Sequence, residues 1–104
     1  MAQHDVYVNT NPETNKLYPY LLDIQSNTLG TLPTRVVIPL VRASNFEKIV
    51  SILNPRLVID QTEVVVSTAQ LASVDSRILG TRVCSIDNMR NEIVAALDLL
   101  ISVG

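Results

Sequence analysis

The C-terminal part of the chain constrains the fold most, because the hydrophobic pattern there changes from strand alternation to helical spacing. Five apolar residues recur at steps of three and four, which places them on one side of a helix beginning at Ser85 or Asp87. They are Met89, Ile93, Ala96, Leu97 and Leu100. A second row, Val94, Leu97 and Ile101, widens the apolar stripe. We therefore expect this helix to pack on two surfaces, its own sheet and a partner subunit.

The segments before this helix have the pattern of short β-strands. They alternate polar and apolar residues or are rich in β-branched residues, which favour strands. The segments are Asp5–Asn9, Tyr18–Gln25, Arg35–Leu40, Leu57–Ile59, Glu63–Ser67 and Arg82–Cys84. Pro39 cannot donate to a sheet ladder and is expected at a strand end, an edge or a bulge. The 104 residues fit one domain, 1–104, of a mainly β (α+β) class.

Two connecting segments have patterns that are neither regular strand nor regular helix. Ser44–Glu47 matches a capping box and precedes apolar residues at helical spacing, which predicts a short helix or an ordered loop ending at Asn54-Pro55. Thr68–Val74 is expected to continue as a bent strand. Asp60 suits the turn between the two strands around it.

The charge pattern disfavours nucleic-acid binding as the main task. The net charge is −2, so no basic field is available to hold a phosphate backbone. Six scattered arginines are expected to be solvated surface residues. They are Arg35, Arg42, Arg56, Arg77, Arg82 and Arg90.

Residues typical of enzymes and metal sites are few. His4 is expected to be a solvated side chain near a flexible start, and Cys84 a buried small hydrophobe. No glycine-rich phosphate loop and no spaced ligand set indicates a cofactor or a metal. No leader and no apolar run long enough for a membrane span is found, so the cytoplasm is the expected compartment. These features favour a binding protein over an enzyme.

Four segments together resemble the CcdB toxins of toxin–antitoxin loci. They are Asp23–Ser26, Arg35–Leu40, Leu71–Val74 and Asn91–Ile101. Their order and spacing are similar over almost the whole chain, from Gln3 onward. The resemblance implies a small SH3-like β-barrel of antiparallel strands with one C-terminal helix. It also implies a homodimer that is not an enzyme, binds the A subunit of DNA gyrase, traps the cleaved gyrase–DNA complex, and is neutralised by a CcdA-like antitoxin.

The resemblance also assigns residues to two surfaces. The gyrase-binding positions are Ser26, Thr28 and Leu29 in a loop, Asp98 on the helix, and Ser102, Val103 and Gly104 after it. Antitoxin contacts are expected near Val8, Asn9 and Gln70. The terminus departs from the family pattern, in which Trp or a small polar residue precedes Gly-Ile. Ser102 cannot stack on an arginine of gyrase as that tryptophan does, which predicts weaker binding.

Two alternatives stay open. The altered terminus is compatible with a protein of this fold that has lost gyrase poisoning and binds only antitoxin. A MazF-like endoribonuclease is the other alternative. It is disfavoured because RNA cleavage needs a positive groove and acid–base groups.

Overall fold

The computed structural model describes residues 2–102. Seven strands and one α-helix alternate with short 3₁₀ turns. The strands are β1 (Asp5–Asn9), β2 (Tyr20–Asp23), β3 (Thr34–Arg42), β4 (Arg56–Ile59), β5 (Thr62–Val66), β6 (Ala72–Asp75) and β7 (Leu79–Ser85). The helix, α1, covers Arg90–Ile101 and follows a 3₁₀ turn at Asp87–Met89.

The strands form one antiparallel sheet in the order β4-β5-β3-β2-β1-β7. The nine-residue strand β3 organises it: β2 pairs with one edge, while β6 and then β5 pair with successive parts of the other edge. The sheet curls at this change of partner into a half-barrel that α1 closes. The predicted mainly β (α+β) class with one C-terminal helix is confirmed.

Pro39 lies where β3 changes partner. It pairs with Leu21 of β2, and the β6 and β5 ladders end and begin on either side of it, at Val37 and Leu40. The missing N–H of proline thus falls at the gap between two ladders. The prediction of a strand end, an edge or a bulge is therefore wrong, because Pro39 lies inside β3 at the junction of two ladders.

Alternate residues of β3 feed two hydrophobic clusters on opposite faces of the sheet. Ile38 and Leu40 join the main core beneath the helix, where Ile93 is also buried. Val37 joins a smaller cluster on the other face, with Tyr7, Leu21 and Leu79. The helix therefore covers one face of the sheet, and the smaller cluster lies on the other face.

The helix has one buried side and one exposed side. Ile93 and Ala96 are buried, and Met89 and Leu97 pack against the main core, as the first row predicted. Val94 and Ile101 of the second row are exposed within the chain, and so is Leu99.

Several predicted bounds differ from the structure. The second strand, predicted over Tyr18–Gln25, is Tyr20–Asp23. The helix, predicted to begin at Ser85 or Asp87, begins at Arg90. Residues 43–54 form the ordered loop, one of the two predicted alternatives, with one 3₁₀ turn at Ala43–Asn45. The bent strand expected over Thr68–Val74 is a 3₁₀ turn, Thr68–Gln70, followed by β6.

Asn54 explains why the loop 43–54 stays irregular. Its amide oxygen accepts from Val50 N at 3.0 Å, and its Nδ2 donates to Val66 O at 3.0 Å. The side chain thus satisfies Val50 N, a group that a helix would have bonded internally, and ties the end of the loop to β5.

No helix in residues 2–102 is long and apolar enough to cross a membrane.

Candidate functional site

The loop after β2 presents a small exposed surface. Ser26 caps the 3₁₀ turn Asn27–Leu29, with its Oγ accepting from Thr28 N at 3.3 Å and lying 2.8 Å from Thr28 Oγ1. Leu29 N donates to Ser26 O at 3.0 Å. The side chain of Leu29 is 48% exposed, so the loop carries an apolar residue held outward on a hydrogen-bonded turn.

A buried ion pair lies beneath this loop. Asp23 Oδ2 accepts from Arg35 Nη2 at 2.6 Å and from Arg35 Nε at 3.0 Å. Asp23 is fully buried and Arg35 is 1% exposed. The prediction that Arg35 is a solvated surface residue is therefore wrong, because the guanidinium makes a paired, desolvated contact across β2 and β3.

Gln25 links the ion pair to the loop. Its backbone N donates to Asp23 Oδ1 at 3.0 Å, and its Oε1 accepts from Val36 N at 3.0 Å. Its Nε2 donates to Leu29 O at 2.9 Å. One buried amide side chain therefore joins strand β3 to the end of the 3₁₀ turn.

The N-terminal segment packs against the same region. Gln3 N donates to Asn27 Oδ1 at 2.8 Å, and its Nε2 donates to Ile24 O at 3.1 Å. His4 N donates to Asp23 O at 2.6 Å. These bonds connect the start of the chain to the loop that Ser26 begins.

His4 is not the solvated side chain that was predicted. It is 3% exposed, its φ is 70°, and its Nδ1 lies 2.8 Å from Asp87 Oδ1. Its carbonyl accepts from Ile86 N at 2.8 Å. The imidazole and its backbone thus hold the N-terminal segment to the turn before α1, a role that no local sequence signal indicates.

The second group of predicted gyrase-binding residues lies at the end of α1. Asp98 and Ser102 are both exposed, and they are four residues apart. Val103 and Gly104 lie outside the described residues. The structure thus places Ser26, Thr28 and Leu29 together on one turn and Asp98 and Ser102 on another element. No hydrogen bond joins the two groups within residues 2–102.

Two of the three predicted antitoxin-binding residues line one pocket on the helix-free face of the sheet. This pocket of about 240 Å³ contains Asn9 and Gln70, with Leu21 and Val37 among its apolar walls. Asn9 is buried, and its Nδ2 donates to Tyr18 O at 2.9 Å. Val8 is partly exposed on the alternate side of β1.

Gln70 closes one side of the pocket. Its Nε2 donates to Tyr18 Oη at 2.8 Å, and both residues also line a neighbouring groove with Phe46 and Lys48. The pocket and the groove together offer apolar walls bordered by polar groups, a surface suited to binding a peptide.

The ionisable groups form isolated pairs in the described part of the chain. Hydrogen bonds from Arg77 lower the pKa of Asp75 to about 2. Burial raises the pKa of Tyr7, beside the Asp5–Arg82 ion pair. Burial also raises the pKa of the half-buried Cys84 thiol, which disfavours the reactive thiolate. No group of three or more metal-ligating side chains occurs among residues 2–102.

Comparison with solved structures finds the fold in a toxin complex. The chain is similar to a structure described as an endoribonuclease in complex with its cognate antitoxin from Mycobacterial species. The TM-score is 0.76 at 14% sequence identity, and the match covers 100% of this chain and 97% of the other. A similarity at this identity shows the shared fold.

Comparison with curated protein sequences gives no significant match. The comparison with protein families gives a match over nearly the whole chain, in agreement with the four segments that suggested the resemblance. The family model described as CcdB protein matches residues 3–103. The chain belongs to the CcdB family.

Proposed function

We propose that this protein is the toxin of a type II toxin–antitoxin system. In this proposal a homodimer binds the A subunit of DNA gyrase in the cytoplasm and traps the cleaved gyrase–DNA complex. A CcdA-like antitoxin neutralises it. The observation that carries the proposal is the CcdB family match over residues 3–103.

The proposed gyrase-binding surface is the loop Ser26–Leu29 together with Asp98 and the residues that follow α1. The geometry of the loop supports this choice, because Leu29 is exposed on a turn that is tied to the protein interior. An exposed side chain on a rigid support loses little conformational freedom on binding, which favours its use as a contact. The carboxylate of Asp98 would supply a polar contact at the rim.

The proposed antitoxin-binding surface is the pocket that Asn9 and Gln70 line. Val8, the third predicted antitoxin-binding residue, is exposed on the other side of β1. The bound structural neighbour is a complex of an endoribonuclease with its antitoxin, which supports an antitoxin partner for this fold. Because Asn9 is buried and its amide is used within the chain, we assign it the role of shaping the pocket. Gln70 is exposed and would contact the antitoxin directly.

A second candidate function is RNA cleavage, because the structural neighbour is an endoribonuclease. The chain's one histidine is a poor general base for this reaction, since His4 is buried and its Nδ1 faces Asp87. We therefore favour gyrase over RNA as the target. A third hypothesis is a chain that binds antitoxin without poisoning gyrase.

Expression in bacteria separates these functions. The chain is induced in a strain with native gyrase and in a strain whose gyrase A subunit resists CcdB toxins. Growth arrest in the first strain alone, with linear plasmid accumulating in a gyrase cleavage assay, is expected. Arrest in both strains with RNA breakdown would support the endoribonuclease. No arrest, with retained binding to a CcdA-like antitoxin fragment, would support the third hypothesis, a chain that binds antitoxin without poisoning gyrase.

A matched pair of variants tests the loop surface. Leu29 and Leu32 are 48% and 46% exposed and lie three residues apart. Leu29→Ser should weaken binding to a gyrase A fragment by about tenfold or more, as expected for an interface anchor. Leu32→Ser should bind like the native chain in the same calorimetric titration. Equal losses in both variants would contradict the assignment of Leu29.

A further inference from the structure

A buried polar network lies beneath the loop Ser26–Leu29, the proposed gyrase-binding loop. The carboxylate of Asp23 binds the Arg35 guanidinium through two N–H groups and accepts the backbone N–H of Gln25. All three residues are buried. A buried ion pair contributes little net stability compared with well-packed apolar residues, so such a network calls for another role.

The geometry of Gln25 shows what the network holds. Its Oε1 accepts from Val36 N on β3, and its Nε2 donates to Leu29 O at the end of the 3₁₀ turn. The amide therefore spans from the sheet to the residue whose exposed side chain forms the proposed contact. The Asp23–Arg35 pair fixes the backbone of Gln25 from below, because Asp23 Oδ1 accepts its N–H at 3.0 Å.

The first residues of the turn have further partners, because Ser26 Oγ accepts from Thr28 N and Asn27 Oδ1 accepts from Gln3 N. Among the described hydrogen bonds, the one from Gln25 Nε2 links Leu29 to the residue that also binds β3. The internal bonds of the turn are single 3₁₀-type contacts, from Leu29 N to Ser26 O and from Gly30 N to Asn27 O. Residues 26–32 are all exposed, and Leu29 and Leu32 are only about half covered, so hydrophobic burial holds this segment weakly. A short exposed turn of this kind would sample several conformations unless a side chain anchored it.

We infer that Gln25, held by the buried Asp23–Arg35 pair, is a positioning residue that pre-organises the loop Ser26–Leu29 for target binding. Binding by a pre-organised loop avoids the entropic cost of ordering it in the complex. The effect on affinity rests on the proposed gyrase function. The effect on loop order is a property of the free protein and can be measured without gyrase.

The chain offers a matched control for Gln25. Asn54 is also a buried amide that accepts a backbone N–H, from Val50, and donates to a backbone carbonyl, that of Val66. It lies in the different loop 43–54. Gln25→Glu and Asn54→Asp each keep the acceptor and remove the donated bond, so their general costs to the fold are comparable.

The test measures both variants in two ways. Hydrogen exchange of the Leu29 and Gly30 amides should accelerate about tenfold in Gln25→Glu and stay native in Asn54→Asp. Calorimetry with a gyrase A fragment should show about tenfold weaker binding for Gln25→Glu alone. If Gln25→Glu does not fold, Arg35→Lys replaces it, since Lys keeps the charge but not the paired N–H geometry, and the same direction is expected.

The outcomes separate the inference from the function on which it depends. Native exchange at Leu29 and Gly30 in the folded Gln25 or Arg35 variant would overturn the positioning role. Equal loss of gyrase binding in Gln25→Glu and Asn54→Asp would also overturn it. Failure of the unaltered chain to bind gyrase would instead reject the proposed function, and the exchange result would still decide whether Gln25 orders the loop.

Discussion

Removing one partner of the buried Asp23–Arg35 pair should be strongly destabilising, because the other charge then stays buried without a partner. Arg35→Met removes the only cation near a fully buried carboxylate among the described contacts, with Asp23 Oδ2 left without its two N–H donors. We expect a loss of about 3–5 kcal/mol in the free energy of unfolding, measured by urea denaturation. Arg42→Met at the end of the same strand is the control, because Arg42 is exposed, and it should cost about 0.5 kcal/mol or less. Equal costs would contradict the desolvated pairing.

The Asp75–Arg77 pair makes a prediction about titration. The side-chain hydrogen bonds of Arg77, followed by its backbone N–H, lower the pKa of Asp75 from 3.8 to about 2. A lowered pKa in the folded state stabilises the fold above pH 3.8, and this contribution is lost as the pH falls from 3.8 to about 2. Arg77→Gln keeps the backbone bond, so the pKa should rise only part of the way to 3.8.

Carbon NMR of the Asp75 carboxyl group measures this pKa directly. Arg56→Gln serves as the control, because Arg56 faces Glu63 on a different hairpin and should leave the Asp75 titration unchanged. A carboxyl that titrates near 3.8 in the unaltered protein would contradict the described hydrogen bonds.

Individual residue roles were the least predictable part of the structure. The sequence separates Arg35 from Asp23 by twelve positions, and only the pairing of β2 with β3 brings them together. His4 has a left-handed backbone and a partner 83 positions away, which no local pattern encodes. Residue type therefore indicated surface positions for both, and tertiary pairing overrode that expectation.

At the scale of elements, the β4–β5 turn contains two residues that store backbone strain. Asp60 and Gln61 have φ of 48° and 65°, and Ile59 pairs with Thr62 across them, the geometry of a two-residue hairpin turn with left-handed residues. Gln61→Gly should stabilise the protein by about 1 kcal/mol, because glycine adopts this conformation without a Cβ clash. Thermal unfolding followed by circular dichroism measures the change.

A second substitution to glycine, two positions further along the chain, provides the comparison. Glu63 lies in strand β5 with extended backbone, so Glu63→Gly should destabilise the protein by roughly 0.5–1 kcal/mol. Destabilisation by both substitutions would show that the turn is not strained at Gln61.

Elements with an unambiguous hydrophobic period were well predicted. Strand β1 has the predicted limits, Asp5–Asn9, and α1 lies within the predicted helical segment. The loop 43–54 was ambiguous because its capping pattern is local, whereas Asn54 connects its backbone to β5. Ser26, Thr28 and Leu29 lie in a loop, as expected, but the support of this loop by Gln25 and Arg35 depends on side-chain contacts that the sequence does not display.

At the scale of the whole molecule, the exposed side of α1 bears on assembly. Val94 and Ile101 are large apolar side chains, seven positions apart on one side of the helix, that the chain's own sheet does not cover. We propose that this side of the helix lies in a two-fold dimer interface, where the same residues of both subunits meet. Charges placed there would be buried in the dimer without a partner, which is costly.

A substitution at Ile101 therefore tests the dimer, and the chain supplies a matched control. Ile101 is 66% exposed on the helix, and Ile52 is 60% exposed in the loop 43–54. Ile101→Glu should shift the sedimentation coefficient from dimer to monomer at micromolar concentration, whereas Ile52→Glu should sediment like the unaltered protein. Both glutamates are solvent-exposed in a single chain, so both variants should keep the native circular dichroism spectrum. A native dimer that persists in Ile101→Glu but dissociates in Ile52→Glu would place the interface on the loop 43–54 instead of the helix.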